Sequence, residues 1–211
     1  MSDPVRLDRH GMGPRAIVVG VSMGGLEALK RLLGVLPVDF PIPMLVVQHL
    51  APESGDSLAS ILDSLCPIRV KEADPGETLQ PGTVYLAPAN YHLLVEPDGR
   101  LGLSVDPPVN YARPSVDVLF ETAAEAFGSH LVGVLLTGAG SDGSRGLVAI
   151  QQRGGRTLVQ DPSDAVAESM PRSALHLLKP DAVLSLEALA AHLVSLVQNS
   201  ARSVSGPTRH P

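Results

Sequence analysis

An apolar, β-branched run at residues 17–19 leads into a serine between two glycines, and a helical pattern follows. Ser22 stands between Gly20 and Gly24, and leucines recur at helical spacing from residue 26 onward. A strand that turns sharply into a helix exposes the residue at the turn and places a helix N-terminus behind it. The segment therefore predicts an exposed Ser22 hydroxyl beside backbone N–H groups that can stabilise an oxyanion.

Short β-branched runs alternate with helical patterns along most of the 211 residues. The runs near residues 46–47 and 132–136 are apolar on both faces, which is typical of strands in a parallel sheet covered by helices on both sides. We therefore predict one α/β domain over residues 15–199, with a doubly wound, mostly parallel sheet and helices on both faces. The predicted strands are 16–21, 44–48, 68–72, 83–86, 131–137, 156–160 and 182–184. The predicted helices are 26–36, 57–65, 116–127, 146–152 and 186–197.

One antiparallel element and two tails complete the predicted organisation. Residues 92–96 and 100–105 flank the turn sequence Pro97-Asp98-Gly99, which indicates a small hairpin. Residues 1–14 are predicted to be a flexible N-terminal tail. Residues 200–211, which are rich in Ser, Pro and Gly, are predicted to be a flexible C-terminal tail.

Composition excludes several classes of function. The net charge of −6, the absence of a Lys/Arg cluster and the aromatic share of 3% argue against nucleic acid as a partner. Cys66 is the only cysteine, which rules out an internal disulfide and a cysteine-based zinc site. No cofactor or metal is predicted. No signal peptide and no apolar run of membrane-spanning length is present, so we expect a cytoplasmic protein that is not inserted in a membrane.

The glycine-flanked serine has two competing interpretations. A dinucleotide-binding turn would need a glycine at the position of Ser22, because that residue lets the backbone approach the pyrophosphate. It would also need an acidic residue after the next strand, where Gln48 and His49 stand instead. The nucleotide interpretation fails on both counts. The other interpretation, that the turn is only structural, can be rejected only if side chains that could activate Ser22 lie near it.

Such side chains are expected at the ends of neighbouring strands, because ligands of an open parallel sheet bind outside the carboxyl ends of its strands. His49 follows the predicted strand 44–48 directly, and Asp142 lies in a glycine-rich loop after the predicted strand 131–137. A hydroxyl, an imidazole and a carboxylate are the groups of a nucleophilic triad. We therefore predict Ser22, His49 and Asp142 as catalytic residues, with the backbone N–H of Met23 at the oxyanion.

Two observations limit this prediction. Taken alone, Asp142 is equally well explained as a turn residue or as the N-cap of a helix over residues 144–152. The order Ser–His–Asp also differs from the Ser–Asp/Glu–His order of α/β-hydrolases. The remaining six histidines have no comparable placement and are predicted to be structural or surface residues: His10, His92, His130, His176, His192 and His210.

Four segments together resemble the catalytic domain of CheB-type protein-glutamate methylesterases: residues 19–25, 47–49, 113–120 and 136–143. The resemblance implies a parallel α/β domain of about seven strands, with Ser22 as nucleophile, His49 as general base and Asp142 as the carboxylate that orients it. It also implies that the substrates are γ-methyl esters of glutamate on chemoreceptor helices, in chemotaxis or a related sensory adaptation. Some members of the family also deamidate glutamine.

The sequence departs from the family pattern at three places. Met23 stands where the family has Thr and Ala139 where it has Met, and both residues are expected to line the site and affect oxyanion geometry or substrate fit. Residues 51–56 lack an expected aromatic residue. About fourteen residues precede the first predicted strand, so we expect no receiver domain in front of it and a separate regulatory receiver protein as a possible partner.

These departures leave two alternatives beside methylesterase activity. One is a methylesterase-like binding module in a signalling complex, with little catalytic activity. The other is an esterase that acts on a different substrate.

Overall fold

A computed structural model describes residues 13–49 and 57–204. The predictions for residues 1–12, for the segment 51–56 and for residues 205–211 lie outside the described residues. The strands are β1 (Ala16–Val21), β2 (Met44–Gln48), β3 (Arg69–Glu72), β4 (Thr83–Leu86), β5 (His92–Val95), β6 (Leu101–Ser104), β7 (Leu131–Leu135), β8 (Arg156–Gln160) and β9 (Ala182–Leu184). The helices are α1 (Gly25–Leu33), α2 (Ser57–Leu65), α3 (Val116–Phe127), α4 (Ser144–Gln152), α5 (Ser169–Leu177) and α6 (Leu186–Val204).

Seven strands form one parallel sheet in the order β3-β4-β2-β1-β7-β8-β9. β5 and β6 form a separate antiparallel pair. The predicted doubly wound α/β fold with a small hairpin is therefore confirmed. β1 is central, between β2 and β7, so the segments that follow these three strands meet at one edge of the sheet.

The alternation of side chains along β1 divides the core into two layers. Ile17, Val19 and Val21 pack with the buried leucines of α1 and α6 on one face. Ala16 and Val18 pack with buried residues of α3, α4 and α5 on the other face. Both faces of the sheet thus carry apolar side chains under helices, which accounts for strands that are hydrophobic on both sides.

Gly20 lets the N-terminus of α3 approach β1 closely. A Cβ atom at Gly20 would lie 2.2 Å from Cγ1 of Val116, the first residue of α3. Since real Cβ contacts are not that short, a larger residue at position 20 would displace the start of the helix. The same helix start contacts Asp142, as described below.

Several element boundaries differ from the predictions, among them those of α6 and β7, and one helix, α5, was not predicted. α5 is not among the predicted helices; its Pro171 lies in the first turn, where the missing N–H has no helical acceptor to satisfy. α6 continues to Val204, seven residues beyond its predicted end at residue 197. β7 ends at Leu135, because the Thr137 N–H donates to the side chain of Gln160 and leaves the strand ladder.

Within the described ranges, no helix is both long and apolar enough to cross a membrane.

Replacing Gly20 by Ala should lower the free energy of unfolding by about 1–3 kcal/mol, because the added methyl group overlaps Val116. Urea denaturation monitored by circular dichroism measures the change. The matched control is the double variant Gly20→Ala/Val116→Ala, in which the overlap is removed. Its loss of stability should be smaller than the sum of the two single losses. Simple additivity of the two substitutions would contradict the proposed contact.

Candidate active site

The Ser22 turn is held from both sides by backbone hydrogen bonds. The Ser22 N–H donates to the Thr137 carbonyl at 3.0 Å, and the Gly25 N–H donates to the Ser22 carbonyl at 3.0 Å. Gly24 has a left-handed conformation with φ of 79°, which only glycine adopts without strain and which turns the chain into α1. The Ser22 side chain is half-buried at this turn.

His49 is fixed beside Ser22 by the neighbouring strand end. Its backbone N–H donates to the Val21 carbonyl at 3.1 Å. The Gln48 side-chain amide donates to the carbonyls of Ser22 and His49 at 2.9 and 2.8 Å, and so ties the two strand ends together. With both segments fixed, Nδ1 of His49 lies 3.2 Å from the Ser22 Oγ.

Asp142 reaches the opposite nitrogen of the same ring. Its Oδ2 lies 2.8 Å from Nε2 of His49, and the residue is 2% exposed. The N-cap residue of α4 is Gly143, so Asp142 does not cap that helix. Ser22, His49 and Asp142, predicted from separate strand ends, are thus brought together in one hydrogen-bonded chain.

The N-terminus of α3 surrounds the Asp142 carboxylate with donors. The backbone N–H groups of Val116 and Asp117 donate to it at 2.7 and 3.0 Å. The Ser115 hydroxyl donates at 2.9 Å and the Asn110 side-chain amide at 2.9 Å. The first N–H groups of a helix have no helical acceptor and carry partial positive charge, so this helix end stabilises a buried anion.

The hydrogen bonds decide the charge of Asp142. Burial alone would raise its pKa, but the bonds from His49, Asn110 and the backbone N–H groups of Asp117 and Val116 outweigh burial and hold the pKa below its ordinary value. Asp142 is therefore a carboxylate at neutral pH and can only accept hydrogen bonds. His49 must donate its Nε2–H to Asp142, which leaves the lone pair of Nδ1 facing the Ser22 hydroxyl. The ring is reversed relative to chymotrypsin-type triads, where Nε2 faces the serine.

Three polar residues around Asp142 were not predicted from the sequence. Asn110, Ser115 and Asp117 lie 25 to 32 positions from Asp142 along the chain. Ser115 and Asp117 fall in the segment 113–120 that carries part of the family resemblance, but the sequence assigns them no role. Only the approach of α3 to β1 shows what they do.

Asp117 forms a second buried carboxylate next to the first. Burial, and then the nearby charge of Asp142, raise its pKa above the ordinary value, although hydrogen bonds from Gly146 and Asn110 oppose this rise. The Asn110 amide donates to both carboxylates, at 2.8 Å to Asp117 and 2.9 Å to Asp142. Asn110 thereby separates two groups that would otherwise repel each other.

His92 is buried and belongs to the support of this helix end. The Ser115 N–H donates to its Nδ1 at 3.2 Å, so its Nε2 carries the proton that is donated to the Pro107 carbonyl at 3.2 Å. The imidazole does not reach the three predicted catalytic side chains, in line with a structural role.

An open cleft of about 550 Å³ lies over the site. Its walls include His49, Asp142, Ala139 and the turn that carries Tyr111. Of the two residues predicted to line the site, Ala139 borders this cleft, whereas Met23 is not among the residues of its walls and is 57% exposed. The Met23 N–H donates to no acceptor in residues 13–49 or 57–204. In the same ranges, no group of three or more His, Cys, Asp or Glu residues is placed to hold a metal ion.

Replacing Asp142 by Asn should destabilise the protein by about 2 kcal/mol at about pH 7, because the charged acceptor of several buried donors is lost. The folded-state pKa of Asp142 lies below its ordinary value of 3.8. Its contribution to stability is therefore present above that value and is lost as the pH falls through the folded-state pKa.

The stability gap between wild type and Asp142→Asn should accordingly stay constant near neutral pH and narrow as the pH falls through 3.8 toward the folded-state pKa, as measured by urea denaturation at a series of acid pH values. Asp39→Asn, at an exposed aspartate, is the matched control and should run parallel to wild type. A gap for Asp142→Asn that stays constant with pH would contradict the assigned charge.

Comparison with known proteins identifies the fold as that of one family. A family model described as CheB methylesterase matches residues 17–193. A Leptospira interrogans protein with the provisional name protein-glutamate methylesterase/protein-glutamine glutaminase is 48% identical over 189 residues, which are 90% of this chain and 98% of that protein.

Protein-glutamate methylesterase FrzG of Myxococcus xanthus is 41% identical over 181 residues, which are 86% of this chain and 54% of that protein. The chain therefore spans nearly all of the first relative and about half of the second. The crystal structure of the Thermotoga maritima CheB methylesterase catalytic domain superposes with a TM-score of 0.83 at 36% identity, covering 88% of this chain and 100% of that one. The chain belongs to the CheB methylesterase family and is a carboxylic ester hydrolase of the protein-glutamate methylesterase type.

Proposed function

We propose that this chain hydrolyses γ-methyl esters of glutamate side chains on a chemoreceptor-type protein, and that Ser22, His49 and Asp142 carry out the reaction. The observation that supports this most directly is the continuous chain of contacts from the Ser22 hydroxyl through both nitrogens of His49 to Asp142. The names of the relatives supply the substrate class.

Acylation begins with proton transfer from Ser22 to Nδ1 of His49. The Ser22 oxygen bonds to the ester carbonyl carbon as its proton moves to the imidazole, and Asp142 stabilises the imidazolium that forms. The tetrahedral intermediate then expels the methoxy group. That group takes the proton from Nδ1 and leaves as methanol, so the glutamyl group remains bound to the Ser22 oxygen.

Deacylation repeats these steps with water. His49 takes a proton from a water molecule as the water oxygen bonds to the acyl carbon. The proton then returns to the Ser22 oxygen as the glutamate carboxylic acid is released, and this acid ionises to the carboxylate in water. His49 thus acts first as base and then as acid in both halves of the reaction, and Asp142 keeps the same role throughout.

The negative oxygen of each tetrahedral intermediate needs donors beside Ser22. The Met23 N–H follows the serine directly, precedes α1 and donates to no acceptor in the described ranges. A backbone donor of this kind is worth about 3 kcal/mol of transition-state stabilisation. Ala139, on the cleft wall next to the serine turn, is proposed to contact the substrate at the reacting centre.

The same site fits glutamine deamidation, the second activity in the names of several relatives. An amide is harder to cleave than an ester, because its nitrogen must be protonated before it can leave as ammonia. The imidazolium of His49 supplies that proton in the same position as for methanol.

Hydrolysis explains the buried charge of Asp142 better than a binding role does. Burying a carboxylate is unfavourable unless many donors compensate for it, and here the anion is aimed at the imidazole that faces Ser22. A docking surface has no need of this arrangement. The proposed setting is the cytoplasm, where a separate receiver protein would regulate access to the site.

Replacing Ser22 by Ala should lower the rate of methanol release by at least about a thousandfold, because the oxygen that faces the His49 imidazole is lost. The measurement is release of labelled methanol from a methylated chemoreceptor in isolated membranes. Ser64→Ala, in α2 and remote from the cleft, is the matched control and should retain wild-type activity.

Equal rates for Ser22→Ala and wild type would contradict the nucleophile assignment. Reaction with an organophosphonate separates an enzyme from a binding module. Wild type should be labelled at Ser22, whereas an inert domain would not be modified. Absence of both labelling and methanol release would favour the binding module.

A further inference from the structure

We infer that the exposed apolar residues on either side of Ser22 form a docking surface for the helix that carries the substrate ester; this inference rests on the proposed function. The surface, termed here the docking rim, consists of Tyr111, Met23 and Val166. Their exposed fractions are 105%, 57% and 75%, respectively.

Tyr111 has a backbone conformation and an exposure that are both unfavourable for a tyrosine in the free protein. Val109 and Ala112 exchange two backbone hydrogen bonds, at 3.1 and 2.9 Å, and close a two-residue turn. The central residues, Asn110 and Tyr111, have positive φ angles of 52° and 62°. Such turns favour Asn and Gly, and a bulky residue there is strained. Because Tyr111 is also fully exposed, the described ranges of the chain gain no burial from its ring, and we assign its burial to a partner.

The turn that carries Tyr111 is attached to the site. Its Asn110 side chain donates to the carboxylates of Asp142 and Asp117. On its other side, the Arg113 guanidinium donates to Asn90 at 2.7 Å and to the Val105 carbonyl at 2.6 Å. The ring is therefore presented from a fixed backbone, which reduces the ordering that binding would otherwise require.

Val166 borders the serine turn directly. Its Cβ lies 2.8 Å from the position that a Cβ of Gly24 would occupy, so the valine side chain rests on the turn itself. The adjacent residue, Ala167, anchors this segment: its N–H donates to the Thr137 hydroxyl and its carbonyl accepts from the Gly138 N–H, both at 2.9 Å. Val166 is thus exposed but held in place.

The docking rim approaches Ser22 from both faces of the sheet. Met23 leads into α1, which packs on one face, and Tyr111 lies just before α3, which packs on the other. A protein that brings a side-chain ester to Ser22 must lie between them. In a glutamyl ester the carbonyl carbon is only about 4 Å from the Cα atom, so the main chain of the substrate must cross the mouth of the cleft.

The geometry also indicates the chemistry of the partner. On a helix, residues three and four positions from the ester lie on the same face, about 5–6 Å from it. Their side chains would meet Tyr111 on one side and Val166 on the other. The docking rim therefore fits a helix with aliphatic side chains, or long side chains with aliphatic stems, at these positions.

The test compares two esters in one enzyme: a methylated chemoreceptor in isolated membranes, and the γ-methyl ester of N-acetyl-glutamate amide. Tyr111→Asn should reduce kcat/KM for the receptor about tenfold through a higher KM. The ratio of receptor to small-ester kcat/KM should fall by the same factor. Val166→Thr, which keeps the shape of valine, should lower the ratio in the same direction.

Val38→Thr is the matched control, since Val38 is 69% exposed and its carbonyl contacts Gly82, at the opposite edge of the sheet. An unchanged ratio in Tyr111→Asn, or an equal fall in Val38→Thr, would overturn the docking rim while leaving the proposed function intact. Failure of wild type to release methanol from either ester would instead overturn the proposed function, and the docking rim with it.

Thermal unfolding of Tyr111→Asn provides a readout that needs no substrate. Asn suits positive φ, and no buried contact is lost, so Tm should equal or exceed that of wild type. A lower Tm would show that the ring stabilises the free protein, and would contradict its assignment to a partner.

Discussion

The site depends on one interaction, the stabilisation of the negative charge of Asp142 by the N-terminus of α3. A buried carboxylate keeps its charge only where donors replace the water it has lost, and here backbone N–H groups, a hydroxyl and an amide do so. Because the anion can only accept, it determines which nitrogen of His49 carries the proton. The state of the imidazole, and through it that of Ser22, follows from the position of one helix end.

That helix end in turn depends on the absence of a side chain at Gly20. The strand that presents the serine is also the strand against which α3 packs, and only hydrogen at position 20 leaves room for Val116. Core packing and the chemistry of the site are therefore not separate properties of this chain. A change that shifts α3 by a fraction of an ångström alters the donors around Asp142.

Much of the fold and the three central side chains could be predicted from the sequence, because both depend on local patterns. Apolar runs mark the strands, and parallel strands end at a common edge, so residues that directly follow strands are expected to meet there. Asn110, Ser115 and Asp117 leave no such local signal. Ser115 and Asp117 reach Asp142 from the N-terminus of α3 and Asn110 from the turn before it, so their role depends on how these segments pack on the sheet. The helix containing Pro171 was missed for a related reason: proline breaks a helix interior but fits its first turn, and the sequence does not show where the turn begins.

The order of the strands explains why Nδ1 of His49 faces Ser22 and Nε2 faces Asp142. Ser22 follows the central strand, whereas His49 and Asp142 follow the strands on either side of it. Adjacent strands are about 4.8 Å apart, so the imidazole must extend over the serine to reach a carboxylate two strands away. Nδ1, the nitrogen nearer the main chain, then lies next to the Ser22 hydroxyl, and Nε2 contacts the Asp142 carboxylate. In this architecture, sheet topology decides which nitrogen faces the serine, and the charge of Asp142 decides which nitrogen carries the proton.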